Sequence, residues 1–219
     1  MPHQSKTVAL SRQRGSGGSY VGRAVAERLG LRYIDREMLR HAAEYLRGQH
    51  GEERIETPAT SWWSRLSGAF ALGGPECGYV PPPSEVTYKG ELFEIENRLL
   101  REIVEGHVAV IVGRGAAQML HGRPGVVSVF LHAPVPWRVE RVQQVYGLAD
   151  RPAAQRMVHD SDRDRASFIQ RLAGIDWRDV QGYDLALDTA AIGFDAAADL
   201  ILRAVDARVE MAVARADRV

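Results

Sequence analysis

Short apolar runs alternate along the chain with longer stretches whose apolar residues recur every three or four positions, which predicts strands separated by helices. Thr7-Val-Ala-Leu-Ser11 is a β-prone run that breaks into Arg12-Gln-Arg-Gly-Ser-Gly-Gly-Ser19. Val21, Ala24, Val25, Ala26 and Leu29 then fall at helical spacing, so this segment reads strand, glycine loop, helix. Gly30 is placed to end that helix, Arg32-Tyr-Ile-Asp35 predicts a brief second strand, and another helix is expected from about Arg36 to Arg47. From Glu91 to Glu105, Leu92, Ile95, Leu99, Leu100 and Ile103 mark an amphipathic helix. It leads into Val108-Ala-Val-Ile-Val112, a continuous apolar run of the kind buried parallel strands carry, and Val126-Val-Ser-Val-Phe-Leu131 repeats that pattern. A helix bearing Arg138 and Arg141 follows, then a polar helix-like stretch from Pro152 to Leu172. Asp184-Leu-Ala-Leu-Asp188 is the last expected strand, and a closing helix from Asp195 to about Ala216 presents Leu200, Ala204, Ala207 and Met211 on one face. This order predicts an α/β fold, a doubly wound parallel sheet flanked by helices, rather than a bundle or a sandwich.

A length of 219 residues suits a single domain, 1–219, carrying one insertion. Residues 48–90 are that insertion: Gly73-Gly-Pro75, Gly78 and Pro81-Pro-Pro83 flank a Trp62-Trp63 pair, and the segment is expected to be partly mobile. Trp62, Trp63 and Trp177 suit packing in a core or lid better than base stacking. The chain is 45% hydrophobic and 26% charged, with no stretch near the roughly 18 apolar residues of a membrane span and no secretory h-region before Arg12, so a cytoplasmic protein is expected. Its single cysteine, Cys77, closes no internal disulfide, and the seven histidines show no metal-ligand spacing. The 28 basic and 28 acidic residues cancel, which argues against nucleic acid and membrane partners. Only Lys6 and Lys89 are lysines, so nearly every cation is an arginine, whose planar fork suits phosphate oxygens; a compositional bias towards arginine explains the surplus equally well.

A glycine loop between a first strand and a first helix gathers backbone N–H groups at a helix N-terminus and so forms an anion site, although Gly15-Ser-Gly-Gly18 would also serve as a plain tight turn. Six stretches set this loop in a wider pattern: Leu10-Ser-Arg-Gln-Arg-Gly-Ser-Gly-Gly18, Tyr33-Ile-Asp-Arg-Glu37, Ile111-Val-Gly-Arg-Gly-Ala116, Phe130-Leu-His-Ala-Pro134, Asp162-Arg-Asp-Arg165 and Tyr183-Asp-Leu-Ala-Leu-Asp-Thr189. Together, and in this order from about residue 7 to 205, they resemble the cytidylate-kinase-like branch of the P-loop nucleoside monophosphate kinases. The resemblance implies a five-stranded parallel sheet, a phosphate-binding loop, a mobile monophosphate-binding region and an arginine-bearing lid over 152–172. It also implies transfer of the ATP γ-phosphoryl group to a nucleoside monophosphate, most simply CMP or dCMP, with Mg2+. A binding protein that keeps the fold without transfer is the alternative.

The loop departs from glycine, four residues, glycine, lysine, then serine or threonine. Arg12 stands at the first glycine, Gly17 keeps the second, Gly18 replaces the lysine and Ser19 keeps the hydroxyl, the expected magnesium contact. Neither lysine is a substitute, since Lys6 precedes the first strand and Lys89 lies in the insertion. Val112-Gly113 ends a strand where many P-loop enzymes place a magnesium-organising aspartate. Phosphoryl transfer needs mainly positive charge around the transferring oxygens and aligned substrates, which arginines supply. By resemblance, Gly15, Ser16, Gly17, Gly18, Ser19, Tyr20, Arg138 and Arg163 bind the ATP phosphates, and Arg165, Arg141 and Arg12, in that order, replace the missing charge. Arg114 would hold the acceptor phosphate and Asp35 would line its site. Each has a plainer role open to it: a local ion pair for Arg141, Arg163 and Arg165, a helix N-cap for Asp35, a turn arginine for Arg114.

Overall fold

The computed structural model describes residues 7–35, 98, 109–113 and 115–216. The chain divides into two compact units, residues 1–34 with 108–219, and residues 35–107. The insertion expected over 48–90, the helices expected near 36–47 and 91–105 apart from Arg98, Arg114 and Cys77 all lie outside the described residues.

Five strands form one sheet: β1 (Thr7–Arg12), β2 (Arg32–Asp35), β3 (Ala109–Val112), β4 (Val126–His132) and β5 (Leu185–Asp188), in the order β2-β3-β1-β4-β5. The pairings of β1 with β3, β1 with β4 and β4 with β5 are parallel. Parallel strands need crossovers, and the chain supplies helices: α1 (Gly18–Leu29), α2 (Ala116–Leu120), α3 (Val135–Tyr146), α4 (Arg151–Ala173), α5 (Thr189–Ile192) and α6 (Phe194–Ala216). The doubly wound parallel sheet expected from the sequence is the one observed.

Burial on both faces explains why the central strands are continuously apolar rather than alternating. On one face Val8, Leu10, Val110, Val112, Val127, Val129 and Leu131 pack with Val21, Val25 and Ala26 of α1 and Ala197, Ala198, Ile201 and Val205 of α6. Helix α1 lies close because Gly22 has no side chain; a Cβ there would stand 2.7 Å from a methyl of Val112. Gly30 ends α1 at φ 64°, the left-handed conformation that glycine adopts without steric cost. On the other face Trp177 donates its indole N–H to Ser11 Oγ at 2.8 Å, and Phe130 packs against both Trp177 and Tyr183. Trp177 is thus a core residue. Among the described residues no helix is long and apolar enough to cross a membrane.

Register brings the carboxyl ends of these strands together. Arg12 pairs with Leu131, Leu10 with Val112 and His132 with Asp188, so the Arg12 loop, Gly113, Ala133 and Thr189 all leave the sheet at one edge. In open α/β sheets that edge is where ligands bind.

Candidate functional site

The loop from Gln13 to Gly17 has no regular structure of its own, yet other elements anchor it along its length. Gln13 donates its amide to Leu131 O at 3.0 Å and accepts from Ala133 N at 3.2 Å through its side chain, zipping the loop to the end of β4. Ser16 is buried, with its hydroxyl donated to Gln13 O at 2.9 Å and Leu131 O at 3.1 Å. Thr189, at the start of α5, donates to Ser16 O at 3.0 Å. The Arg14 peptide is held on both sides: its N–H donates to Asp162 Oδ1 at 2.9 Å and its C=O accepts from Arg138 Nη1 at 3.0 Å.

Gly17 sits at φ 77° and begins α1 with no side chain to cap it. A helix starting in this way leaves its first-turn N–H groups to an outside acceptor. Asp162 takes the Arg14 amide, which precedes the Gly15–Ser19 stretch, and Ser16 N–H turns back to Gln13 O at 3.3 Å. The backbone of the loop before α1 is thus fixed by β4, α3, α4 and α5. For magnesium the loop offers one oxygen, the half-buried Ser19 hydroxyl, and among the described residues no group of three or more His, Cys, Asp or Glu side chains is placed to hold a metal ion.

The arginines divide by task. Arg138, expected on the phosphates, is 2% exposed; its Nε donates to Ala133 O at 2.8 Å and its Nη1 also meets Asp162 Oδ2 at 2.6 Å. Burial, and the use of Nε and Nη1 on Ala133 O, Arg14 O and Asp162, make Arg138 a support beneath the loop. The Ser16 hydroxyl faces the end of β4. Arg14 turns away from the loop, stacking its guanidinium 4.6 Å from the Tyr146 ring centre and reaching Met157 Sδ at 3.8 Å. Arg163 is exposed and bridges to Asp160 at 2.8 Å, the local ion pair that the run Asp160–Arg165 allows. Arg165 lies 3.6 Å from Asp162 Oδ1 with 24% of its side chain exposed. Arg141 places its guanidinium 4.4 Å from the centre of the Phe194 ring.

Arg12 runs from the end of β1 across two glycines. A Cβ built on Gly18 would stand 2.5 Å from Arg12 Cγ, and one on Gly113 2.0 Å from Arg12 Nη1. Phe194 covers Gly17 in the same fashion, since a Cβ there would lie 2.2 Å from its ring. Tyr20, 49% exposed, tilts against Phe194 at 5.3 Å, and Trp137 meets the same ring edge-on at 5.9 Å. Asp35 is half-buried at the end of β2.

Sequence reasoning missed several of these parts. Gln13 and Asp162 lie inside the quoted stretches but carried no assigned role. Thr189 closes the last quoted stretch, and its clamp on Ser16 is foreshadowed only by its place after a strand. Phe194 has no local signal at all, because its meaning comes from Gly17, far away in the chain. Behind the loop, Tyr183 donates to Trp177 O at 2.8 Å and accepts from Gln118, and burial pushes its phenol up to about 12.

Comparison with known proteins agrees with this architecture. The chain is 23% identical over 206 residues to a cytidylate kinase of Pyrococcus horikoshii, covering 94% of this chain and 91% of the relative. It is 28% identical over 109 residues to a cytidylate kinase of Methanopyrus kandleri and 30% identical over 112 residues to one of Halobacterium salinarum. Those two matches span about half of this chain and 56% and 57% of the relatives' lengths. Among solved structures, an uncharacterized protein from Eubacterium ventriosum superposes with a TM-score of 0.67 at 20% identity, covering 92% of this chain and 99% of that one. A gluconokinase from Sinorhizobium meliloti superposes at 0.50 with 16% identity, covering 95% and 98%, and shares the fold. The sequence profile of the cytidylate kinase-like family matches residues 7–191, so this chain belongs to the cytidylate kinase-like family, with the P-loop kinase fold.

Proposed function

We propose that the protein is a phosphotransferase that moves the γ-phosphoryl group of ATP to a nucleoside monophosphate, CMP or dCMP being the simplest acceptors. The observation that carries this reading is the anchored loop: a glycine turn at the start of α1, held by four other elements and flanked by Arg12, Arg141 and Arg165. An acceptor phosphate oxygen would attack the γ-phosphorus, the bond to the β–γ bridging oxygen would break, and ADP would leave. Little covalent chemistry is asked of the protein, which must align the groups and stabilise the charge on the moving phosphoryl oxygens. Magnesium, when bound, would neutralise phosphate charge; Ser19 is the loop residue offered to it, with the remaining ligands coming from phosphates and water. The Arg141–Phe194 stack, with Tyr20 beside it, supplies a flat surface at the loop's rim suited to a nucleotide base. Arg114 and Asp35 are proposed on the acceptor side.

The second reading, nucleotide binding without transfer, draws on one observation, glycine at position 18 in place of lysine. Isothermal titration with ATP and CMP, followed by a coupled ADP-release assay, separates the two. Binding with CMP-dependent turnover supports transfer; binding without turnover to any nucleoside monophosphate supports the second reading.

A further inference from the structure

We propose that Arg12 is the cation that replaces the loop lysine, reaching the β- and γ-phosphoryl oxygens from a trough that Gly18 and Gly113 open for it. The proposal rests on the phosphotransferase reading and names the residue on which its charge stabilisation depends.

Two glycines make the argument. Gly18 is the first residue of α1 and has no positive φ, so its backbone would accept any side chain. Space is what excludes one: a Cβ there would lie 2.5, 2.9 and 3.3 Å from Cγ, Cβ and Cδ of Arg12, the whole upper stem of that side chain. Gly113 closes the other end of the trough, where a Cβ would fall 2.0 Å from Nη1. A lysine at position 18 and the present Arg12 therefore compete for one volume.

In the P-loop pattern the first glycine precedes the lysine by six positions, and here those two positions are arginine and glycine, the reverse arrangement. The two departures compensate one another. The positive charge has moved along the sequence while its stem stays against the lysine position in space. Arg12 is also carried on a strand end hydrogen-bonded in register with β4, so it is placed before ligand arrives, as stabilisation of a developing charge requires. A guanidinium keeps its charge at any working pH and offers a fork to two phosphate oxygens.

The test compares the parent with Arg12→Met, which keeps an unbranched stem without charge, Arg12→Lys, and the exchange variant Arg12→Gly with Gly18→Lys. Affinities for Mg–ATP and AMP are measured by calorimetry, phosphoryl transfer by ADP release, and folding by circular dichroism. The expectation is that Arg12→Met lowers the ATP-over-AMP affinity ratio at least about tenfold and transfer about 100-fold. Arg12→Lys should lie between it and the parent, and the exchange variant should regain at least about tenfold in transfer over Arg12→Met. Arg12→Gln replaces Arg12→Met if the latter does not fold. Transfer and affinity ratio within about threefold of the parent in a folded neutral variant overturn the proposal, as does a folded exchange variant no better than Arg12→Met. A parent that binds ATP no better than AMP fails the phosphotransferase reading itself and takes the proposal down with it; a competent parent with an indifferent Arg12→Met sinks the proposal alone.

Discussion

Arg138 and Asp162 meet at 2.6 Å with side chains only 3% and 5% exposed, and between them they grip the Arg14 peptide by its C=O and its N–H. One residue comes from the helix after β4 and the other from the middle of α4, so the pair ties the loop to both helices. The segment expected as an arginine-bearing lid, 152–172, lies in the continuous helix α4, whose Asp162 holds the loop through this contact.

Removing one partner leaves a buried charge without compensation. Asp162→Ala should lower stability by about 3–5 kcal/mol in urea unfolding. Replacing both, Arg138→Met with Asp162→Leu, should restore much of that stability while nucleotide affinity stays low, because the Arg14 peptide has lost its anchors. Full nucleotide affinity in a stable double variant would show that the pair does not shape the loop.

Gly17 has two reasons to be glycine, its φ of 77° and the Phe194 ring. Gly17→Ala is expected to cost more than about 1 kcal/mol and to weaken ATP binding at least tenfold. Adding Phe194→Ala removes the clash but not the backbone strain, so recovery should be partial. Wild-type thermal stability in Gly17→Ala would contradict the described loop.

Arg141 and Arg165 should separate kinetically. Loss of a stacking surface acts on ground state and transition state alike, so Arg141→Ala should raise KM for ATP with kcat little changed. Arg165→Ala, if the lid arginine acts on the moving phosphoryl group, should lower kcat by roughly 30- to 1000-fold with a smaller change in ATP affinity. Steady-state kinetics on both variants decide it, and interchangeable effects would refute the division of labour.

Tyr183 provides a pH signature. Burial raises its phenol from 10.0 to about 12, so between those values the unfolded chain loses a proton that the folded protein keeps. Its contribution is therefore complete below pH 10 and is lost as pH rises towards 12, about 3 kcal/mol in all. Tyr183→Phe should flatten the fall in stability over that interval, measured by urea unfolding at pH 9 to 12. An identical decline in parent and variant would remove Tyr183 as its source.

Much of the fold was legible because its signals are local. Val108–Val112 and Val126–Leu131 are apolar at every position or nearly so, a pattern that only burial on both faces rewards, and the observed β3 and β4 match them to within a residue. The helices after the glycine loop and after β5 announced themselves through apolar spacing in the same way. The loop too was visible, since glycines between a strand and a helix carry a backbone meaning that does not depend on distant residues.

The sequence by itself determined the α/β order, the strand positions, the glycine loop and the absence of a lysine within it. Only the tertiary structure decided what each arginine does. Arg12, Arg14, Arg138, Arg141, Arg163 and Arg165 are chemically identical and carry no local mark of their partners. Burial beneath the loop made Arg138 a strut, a tyrosine ring drew Arg14 away, and the space over two glycines gave Arg12 its path. A long charged side chain takes its role from whatever acceptors, rings and empty volume the fold sets within its reach, and those arrive from elements more than a hundred residues apart in sequence, such as Gly113 beside Arg12 and Asp162 beside Arg14.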